Sequence, residues 1–593
     1  MFFSRTLSLT KLKQSLHHLA KLYNQSSEIN VHKESFKQDL LKLQSLIQEN
    51  KREEATNLSR DLEKRAKTLF PKPLWRKLLE GTAGLAVALV LATIVRQMWF
   101  EPMQIPTGSM RPTFKENDLL TVTKTPYGIN IPLVTDHFYF DDKYVQRGSS
   151  LIFSGDKLDL PDVDTTFLYV FPYTKRYVKR LIGKPGDTVY FYGGSIYGFD
   201  RDGKPIADFE NADWIKKLEY IPFITFEGKI QQTTGNTIKF KQMNKEIGKI
   251  TLTQFGDVQG EFFDGKDWVK DQPGQTSDHP TSLSDLWGIG NFAKARIIKS
   301  DKGYFLELLH HPSFSNITTK TEGSHFKLAL KTTKTQIPLD QEHFNTLLSN
   351  LYTARFVVQN GKVTRYDVNG GSFNSRSPSL ENIPDGTYEF YYGKGYNVGF
   401  GGYLTELPPT HPLYNKDPAQ IQKLFNYGID FDTTVSPRAD NIQLPTRFAY
   451  FRNGDLYVMG ATLFKKDDPQ LQTFVKAEEE KGALGFYDHK LPLNDPKFIS
   501  AYGLKIPDRH YLVLGDNHAM SGDSRLFGFV PEQNLQGAPS VVLWPFDHFG
   551  TPNMVPYPLL TPPRLIVWAI GFSCIFAWYF IRRKKLNSPI NLK

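Results

Sequence analysis

The spacing of apolar residues changes along the chain. In "DLLKLQSLIQENKREEATNLSRDLEKRAKTLF", from Asp39 to Phe70, leucines recur at helical intervals among charges, with few breakers. That period predicts helices, and residues 1–76 read as a small amphipathic hairpin. Two uninterrupted apolar runs stand apart from it. "LLEGTAGLAVALVLATIV" runs from Leu78 to Val95 with Glu80 as its one charge, and "LIVWAIGFSCIFAWYFI" runs from Leu565 to Ile581 with none. Each approaches the roughly 20 residues that a bilayer requires. Trp75, Trp99 and Tyr579 lie at their ends, where amphipathic rings suit a membrane interface. The runs predict transmembrane helices over 77–99 and 565–581, against the alternative of buried core helices.

Between the two runs the period shortens to two. "DLLTVTKTPYG", "SSLIFSG", "RYVKRLIGKPGDTVYFYGGSIYGFDRDGKPI" and "HYLVLGDN" alternate apolar and polar residues between Gly, Pro, Asp and Asn, which is a strand-and-turn pattern. "DRDGKP" and "FRNGDLYVMG" carry the Asp-Gly and Asn-Gly pairs of tight hairpins. Residues 208–500 add helix-like pieces, "DQEHFNTLLSNLYTARF" and "DPAQIQKLFNYG". The expected fold is mostly β, with a large α+β insertion over 208–500 between 100–207 and 501–560.

Charge then orients the chain. The net charge is +10, of which residues 1–76 carry +7 (15 Lys/Arg against 8 Asp/Glu) and the tail "RRKKLNSPINLK", 582–593, carries +5. The remainder, 77–581, is −2. Positive charge therefore lies outside both apolar runs, and the positive-inside rule places both termini in the cytoplasm and the middle across the membrane. The first 27 residues hold no acid, as in a transit peptide, but the acids from Glu28 onward favour a retained cytoplasmic segment. The basic pI of 9.1 thus reads as topology. No basic patch with interleaved aromatics stands out in the middle, so nucleic acid is not an expected partner. Cys574 is the one cysteine, which rules out an intramolecular disulfide and a multi-cysteine metal site. With no zinc, P-loop or dinucleotide motif in a convincing context, no metal or cofactor is expected.

Three stretches carry the chemistry: "QIPTGSMRPTF" with Ser109, "RYVKRLIGKPGD" with Lys179, and "YLVLGDNHAMSGDSRLFGFVPEQNLQG" with Ser521, Asp523 and Arg525. Ser109 alone would pass for a turn serine. Lys179 alone would pass for a surface lysine with its head in water. Together, in this order and after an apolar run, the three resemble the nucleophile, lysine and C-terminal motifs of bacterial type I signal peptidases. The resemblance covers roughly 100–200 and 505–540 with the preceding run, and leaves out 1–76 and most of 208–500. Two places depart from the family pattern. Arg147-Gly148-Ser149 stands where Arg-Gly-Asp is common, and His518 and Ala519 follow Gly-Asp-Asn where Arg and Asp are common.

The resemblance implies a fold of coiled antiparallel sheets and a serine-lysine dyad, with Ser109 as nucleophile and Lys179 as base. It implies that Ser521 hydrogen-bonds the Lys179 amine, that Asp523 and Arg525 form a supporting ion pair with Arg180 near it, and that Thr107 donates to the oxyanion beside the Ser109 N–H. It implies a bacterial inner-membrane enzyme, preproteins bearing signal peptides as substrates, and the bilayer and secretion translocon as partners. The residues agree with that chemistry. A serine hydroxyl needs a base to take its proton. Lysine serves only when neutral, which burial among apolar groups favours. In "YVKRLIG" the strand alternation sets Tyr177, Lys179 and Leu181 on one face and Arg176 and Arg180 on the other. Two other readings carry less: a self-cleaving repressor of the serine-lysine class would have no membrane spans, and a non-catalytic membrane scaffold would have no need of Ser109 and Lys179.

Overall fold

The structure is a computed structural model. It describes residues 6–25, 31–71, 74–160, 163–167, 171–216, 219–220, 225–227, 237–243, 245–252, 257–264, 266–272, 289–310, 317–322, 325–330, 333–366, 379–427, 447–481, 485–489, 491–517, 521–551 and 555–592. The chain divides into two compact units, Met1–Trp99 with Pro562–Lys593, and Phe100–Thr561.

The first unit is helical. Leu9–Gln25, Val31–Gln48 and Arg52–Leu69 form a three-helix group rather than the expected hairpin. The extra turn falls at Asn50, whose left-handed backbone (φ 60°) ends the second helix inside what the leucine pattern reads as continuous. Leu12, Leu16, Leu19, Phe36, Leu40, Leu43, Ala55 and Leu62 share one core, against which Ile590 and Leu592 of the C-terminal tail also pack. The long helices Leu74–Met98 and Pro562–Asn587 are both long and apolar enough to cross a membrane. Trp99, past the end of one, packs edge-on against Trp568, near the start of the other, at 5.7 Å between rings. The two helices therefore run antiparallel, and the tail returns to the helical group at the far end.

The second unit is strand-rich and built from curled antiparallel sheets, as expected. Its principal sheet has seven strands in the order Phe100–Gln104, Leu119–Thr123, Leu535–Trp544, Ser150–Ser154, Arg176–Gly183, His510–Leu514, Val530–Pro531. Residues far apart in sequence are thus neighbours in the sheet, and Arg176–Gly183 is an interior strand between Ser150–Ser154 and His510–Leu514. Residues 208–500 hold two different bodies. The strands of 225–270 share a core with the 188–199 hairpin and with Phe498, Ile506 and Leu512 (Ile238, Phe240, Ile250, Phe262). Residues 293–486 close round a separate core that includes Ile297, Leu306, Phe344, Phe356, Phe390, Phe425 and Phe451. The two helix-like stretches form helices there, Gln341–Ser349 and Pro418–Tyr427. The Asn-Gly pair turns a hairpin between Arg447–Arg452 and Asp455–Val458, with Asn453 and Gly454 both at positive φ.

Candidate active site

The loop 105–118 joins the paired strands Phe100–Gln104 and Leu119–Thr123. Its ends are tied by Ile105 N–H donating to the Asp118 carbonyl and Asn117 N–H donating to the Ile105 carbonyl. Met110 and Phe114 are fully buried beside Leu120, Val122, Ile152, Val178 and Val542. Each such side chain stabilises the anchored loop by about 1.5–3 kcal/mol. Between those anchors Gly108–Met110 makes one tight helical turn, with Ser109 in its middle. Two bonds from Asn517 hold that turn from outside: its N–H donates to the Ser109 carbonyl (3.1 Å) and its side-chain amide to the Gly108 carbonyl (3.2 Å). Gly515 must be glycine for this approach, because a Cβ there would collide with Ser521 Oγ and the Ser109 carbonyl.

Lys179 sits on the strand Arg176–Gly183, opposite Leu151 of the neighbouring strand. Tyr177 and Leu181 pack with Leu151, Phe153 and Val513, while Val178 packs with Met110 and Phe114, as the alternation expects. The Lys179 Nζ lies 2.8 Å from Ser109 Oγ, and both residues are buried. Burial lowers the Lys179 pKa to about 8; the charges of Asp523 and Asp516 only partly offset it. Among the described residues no carboxylate is in ion-pair contact with the amine. Thr107 Oγ1 stands 3.5 Å from Ser109 Oγ, at the outer limit of a hydrogen bond, on an exposed residue with extended backbone.

The opposite face of the strand is buried too, which alternation alone did not suggest. Arg180 is fully enclosed: its Nε donates to Asp516 Oδ1 at 2.6 Å, Nη2 reaches the other oxygen, and Nη1 donates to the Gly148 carbonyl. Thr113 donates to the same Asp516. The carboxylate of "GDN" is therefore the direct partner of Arg180. Asp523 and Arg525 do form a buried bidentate ion pair, with Nε–Oδ1 at 2.8 Å and Nη2–Oδ2 at 2.6 Å. Asp523 Oδ2 also takes the Gly515 N–H (2.9 Å), so this pair fixes the strand end that touches Ser109. Arg147, in the departing Arg-Gly-Ser, pairs with Asp187 at 2.7 Å, and Ser149 Oγ donates to the Gln146 carbonyl. His518 and Ala519 lie outside the described residues. Ser521 Oγ is buried and has no hydrogen-bond partner among the described residues, so the expected bond to Lys179 is not made.

Asp516 and Asn517 are the residues that motif reading passed over. The sequence placed a carboxylate in "GDN", but the burial of Arg180 that requires one, and the choice of Asp516, come from the sheet register.

A serine on a tight loop turn and a buried lysine of lowered pKa, side by side against a curled antiparallel sheet, define a candidate serine-lysine peptidase site. Residues 78–269 and 449–544, just under half of the chain, match the family described as signal peptidase, peptidase S26. It is 37% identical over 109 residues to signal peptidase IB of Staphylococcus aureus strain Mu50, covering 18% of this chain and 53% of that one. It is 29% identical over 137 residues to signal peptidase I of Rickettsia prowazekii strain Madrid E, covering 23% of this chain and 49% of that one. The chain thus spans about half the length of these curated relatives. Residues 270–448 lie between the two matched segments.

Proposed function

We propose that the protein is a membrane-bound serine endopeptidase that removes signal peptides from exported preproteins. The observation that carries this reading is the 2.8 Å approach of Lys179 Nζ to Ser109 Oγ, both residues being buried. The Ser109 hydroxyl gives its proton to neutral Lys179 as Oγ attacks the scissile carbonyl. The developing oxyanion takes the Ser109 N–H and the Thr107 hydroxyl. Lys179 then passes the proton to the leaving amine, which frees the mature chain and leaves the signal peptide esterified to Ser109. Water, deprotonated by the same lysine, hydrolyses that ester and restores the serine. Asp516, Arg180, Asp523 and Arg525 hold the elements that frame the pair.

The two apolar helices and the charge split of +7, −2 and +5 support insertion in a bacterial cytoplasmic membrane with both termini inside. Preproteins are the substrates, and the bilayer and secretion translocon the surroundings. The test is cleavage of a preprotein by the purified full chain in detergent. The expected result is release of a mature protein by wild type and none by Ser109→Ala. Cleavage by folded Ser109→Ala removes the dyad, and no cleavage by wild type removes the reading.

A further inference from the structure

Arg111 follows the proposed nucleophile by two residues, and its guanidinium is buried. Its Nε donates to Glu116 Oε2 at 2.7 Å and its Nη2 to Glu389 Oε2 at 2.8 Å. The same Glu389 oxygen accepts Arg355 Nε at 2.9 Å, and Arg355 Nη1 donates to the Glu116 carbonyl at 3.2 Å. Two arginines and two glutamates thus form a closed, charge-balanced group under the nucleophile turn. The group grips that turn directly. Arg111 N–H donates to the Gly108 carbonyl, and a side chain at Gly108 would run into Glu116 Oε1 and the Arg111 side chain.

Half of the group comes from outside the family match. Glu389 lies on the strand Gly386–Tyr391 and Arg355 just before the strand Phe356–Gln359, both between residues 270 and 448. Burial alone would raise the Glu389 pKa, but Arg111 and then Arg355 hold it at about 2, so it stays a carboxylate. Asn117 Nδ2 donating to Tyr366 Oη at 2.9 Å fastens the end of the same loop to the same region.

We propose that Glu389 is a positioning residue for Ser109, acting through Arg111, so that the added region is a working part of the active site. The inference rests on the reading of Ser109 as nucleophile. A guanidinium held by Glu116 alone is tied to its own loop and can move with it. Held also by Glu389, it is fixed to the separate core of 293–486, and the turn carrying Ser109 is fixed with it.

The test uses the full chain in detergent with a preprotein substrate, measuring kcat and KM separately. Glu389→Gln keeps the shape and loses the charge. It is expected to lower kcat tenfold or more while KM stays within twofold, because the turn that carries the nucleophile is misplaced. The double variant Arg355→Met with Glu389→Met removes both buried charges and leaves Arg111 with Glu116 alone; the same kcat loss is expected. Wild-type kcat in either folded variant overturns the role. Failure of both to fold assigns Glu389 to stability and overturns it as well. An inactive wild-type chain is a different result: it removes the peptidase reading, whereas active wild type with inactive Ser109→Ala and unaffected Glu389→Gln removes only this inference.

Discussion

Two cations are buried within a few residues' reach of Ser109, and their surroundings are opposite. Arg111 is enclosed by Glu116 and Glu389, each in direct contact. Lys179 is buried with the Ser109 hydroxyl as its hydrogen-bond partner, and its nearest acids act only through space. Lys124, another fully buried lysine, pairs with Glu101 at 2.8 Å and so sides with Arg111. Burial costs a charge several kcal/mol, and a protein meets that cost by pairing the charge or by discharging the group. Arginine can only be paired, because its guanidinium does not give up a proton. Lysine can be discharged. The contrast lets one small region hold both kinds of group: paired cations frame it, and the unpaired one keeps the lowered pKa that the proposed base requires.

Removing the unpaired cation is the strongest way to break this contrast. Lys179→Ala and Lys179→Arg should each lower kcat by about 10⁴–10⁶, the loss found when one member of a nucleophile-base unit is deleted. Arginine restores charge but not basicity, so equal loss in both variants is the informative result. Appreciable turnover by folded Lys179→Arg would place the base elsewhere. The same lysine sets the pH profile. The amine works when neutral, and its folded pKa is lowered to about 8. Activity should therefore rise about tenfold per pH unit below that value and level off above it, read as kcat/KM against pH. A profile flat from pH 6 to 9 would contradict a discharged lysine.

Unpairing a paired cation should damage stability in place of chemistry. Asp516→Ala leaves the fully buried Arg180 without its bidentate partner. The expected cost is about 3–5 kcal/mol, measured as the shift in denaturant midpoint of the folded chain. Asp516→Asn keeps the shape and some hydrogen bonding, and should cost less. A cost under about 1 kcal/mol for the alanine variant would mean that water replaces the carboxylate and that the frame is wetter than the structure has it.

How much of this was legible in the sequence depends on how local each signal is. Ser109 and Lys179 stand in short motifs whose turn residues and alternation mark them, and the family resemblance joined two stretches 70 residues apart. The mostly β character followed from period-two strands bounded by Gly, Pro and Asp. Partner choice did not follow. Asp516 and Asp523 lie in the same short stretch, and only the sheet register, which sets Leu514 beside Arg180, decides which of them meets that arginine. Glu389 is 278 residues from Arg111 and sits in an ordinary strand, "GTYEFY", so no spacing rule could single it out. The third N-terminal helix was hidden for another reason: leucine spacing continues across Asn50, and only a positive φ reveals the break.

The oxyanion side offers a finer test of the contrast, because Thr107 is exposed while the serine and lysine beside it are buried. Its hydroxyl is 3.5 Å from Ser109 Oγ, close enough to swing onto a developing negative charge. Thr107→Val keeps the shape and loses the donor, and should lower kcat by about 10²–10³ with KM little changed. Thr107→Ser should retain most activity. Equal activity of the two variants would leave the Ser109 N–H without its proposed companion.

Ser521 should give the smallest effect and the sharpest statement of what discharging Lys179 requires. Its hydroxyl is buried, and among the described residues it has no hydrogen-bond partner. If burial alone neutralises the lysine, this hydroxyl is dispensable to it. Ser521→Ala should then lower kcat less than tenfold and leave the apparent pKa near 8. Stability should hold or rise by about 1 kcal/mol, because an unsatisfied buried hydroxyl is removed. The competing expectation is that the hydroxyl turns onto the amine during turnover and orients it. A loss of a hundredfold or more, with the pKa of the profile displaced, would show that; Lys179 would then have a second polar partner beside Ser109, and its contrast with Arg111 would be one of degree.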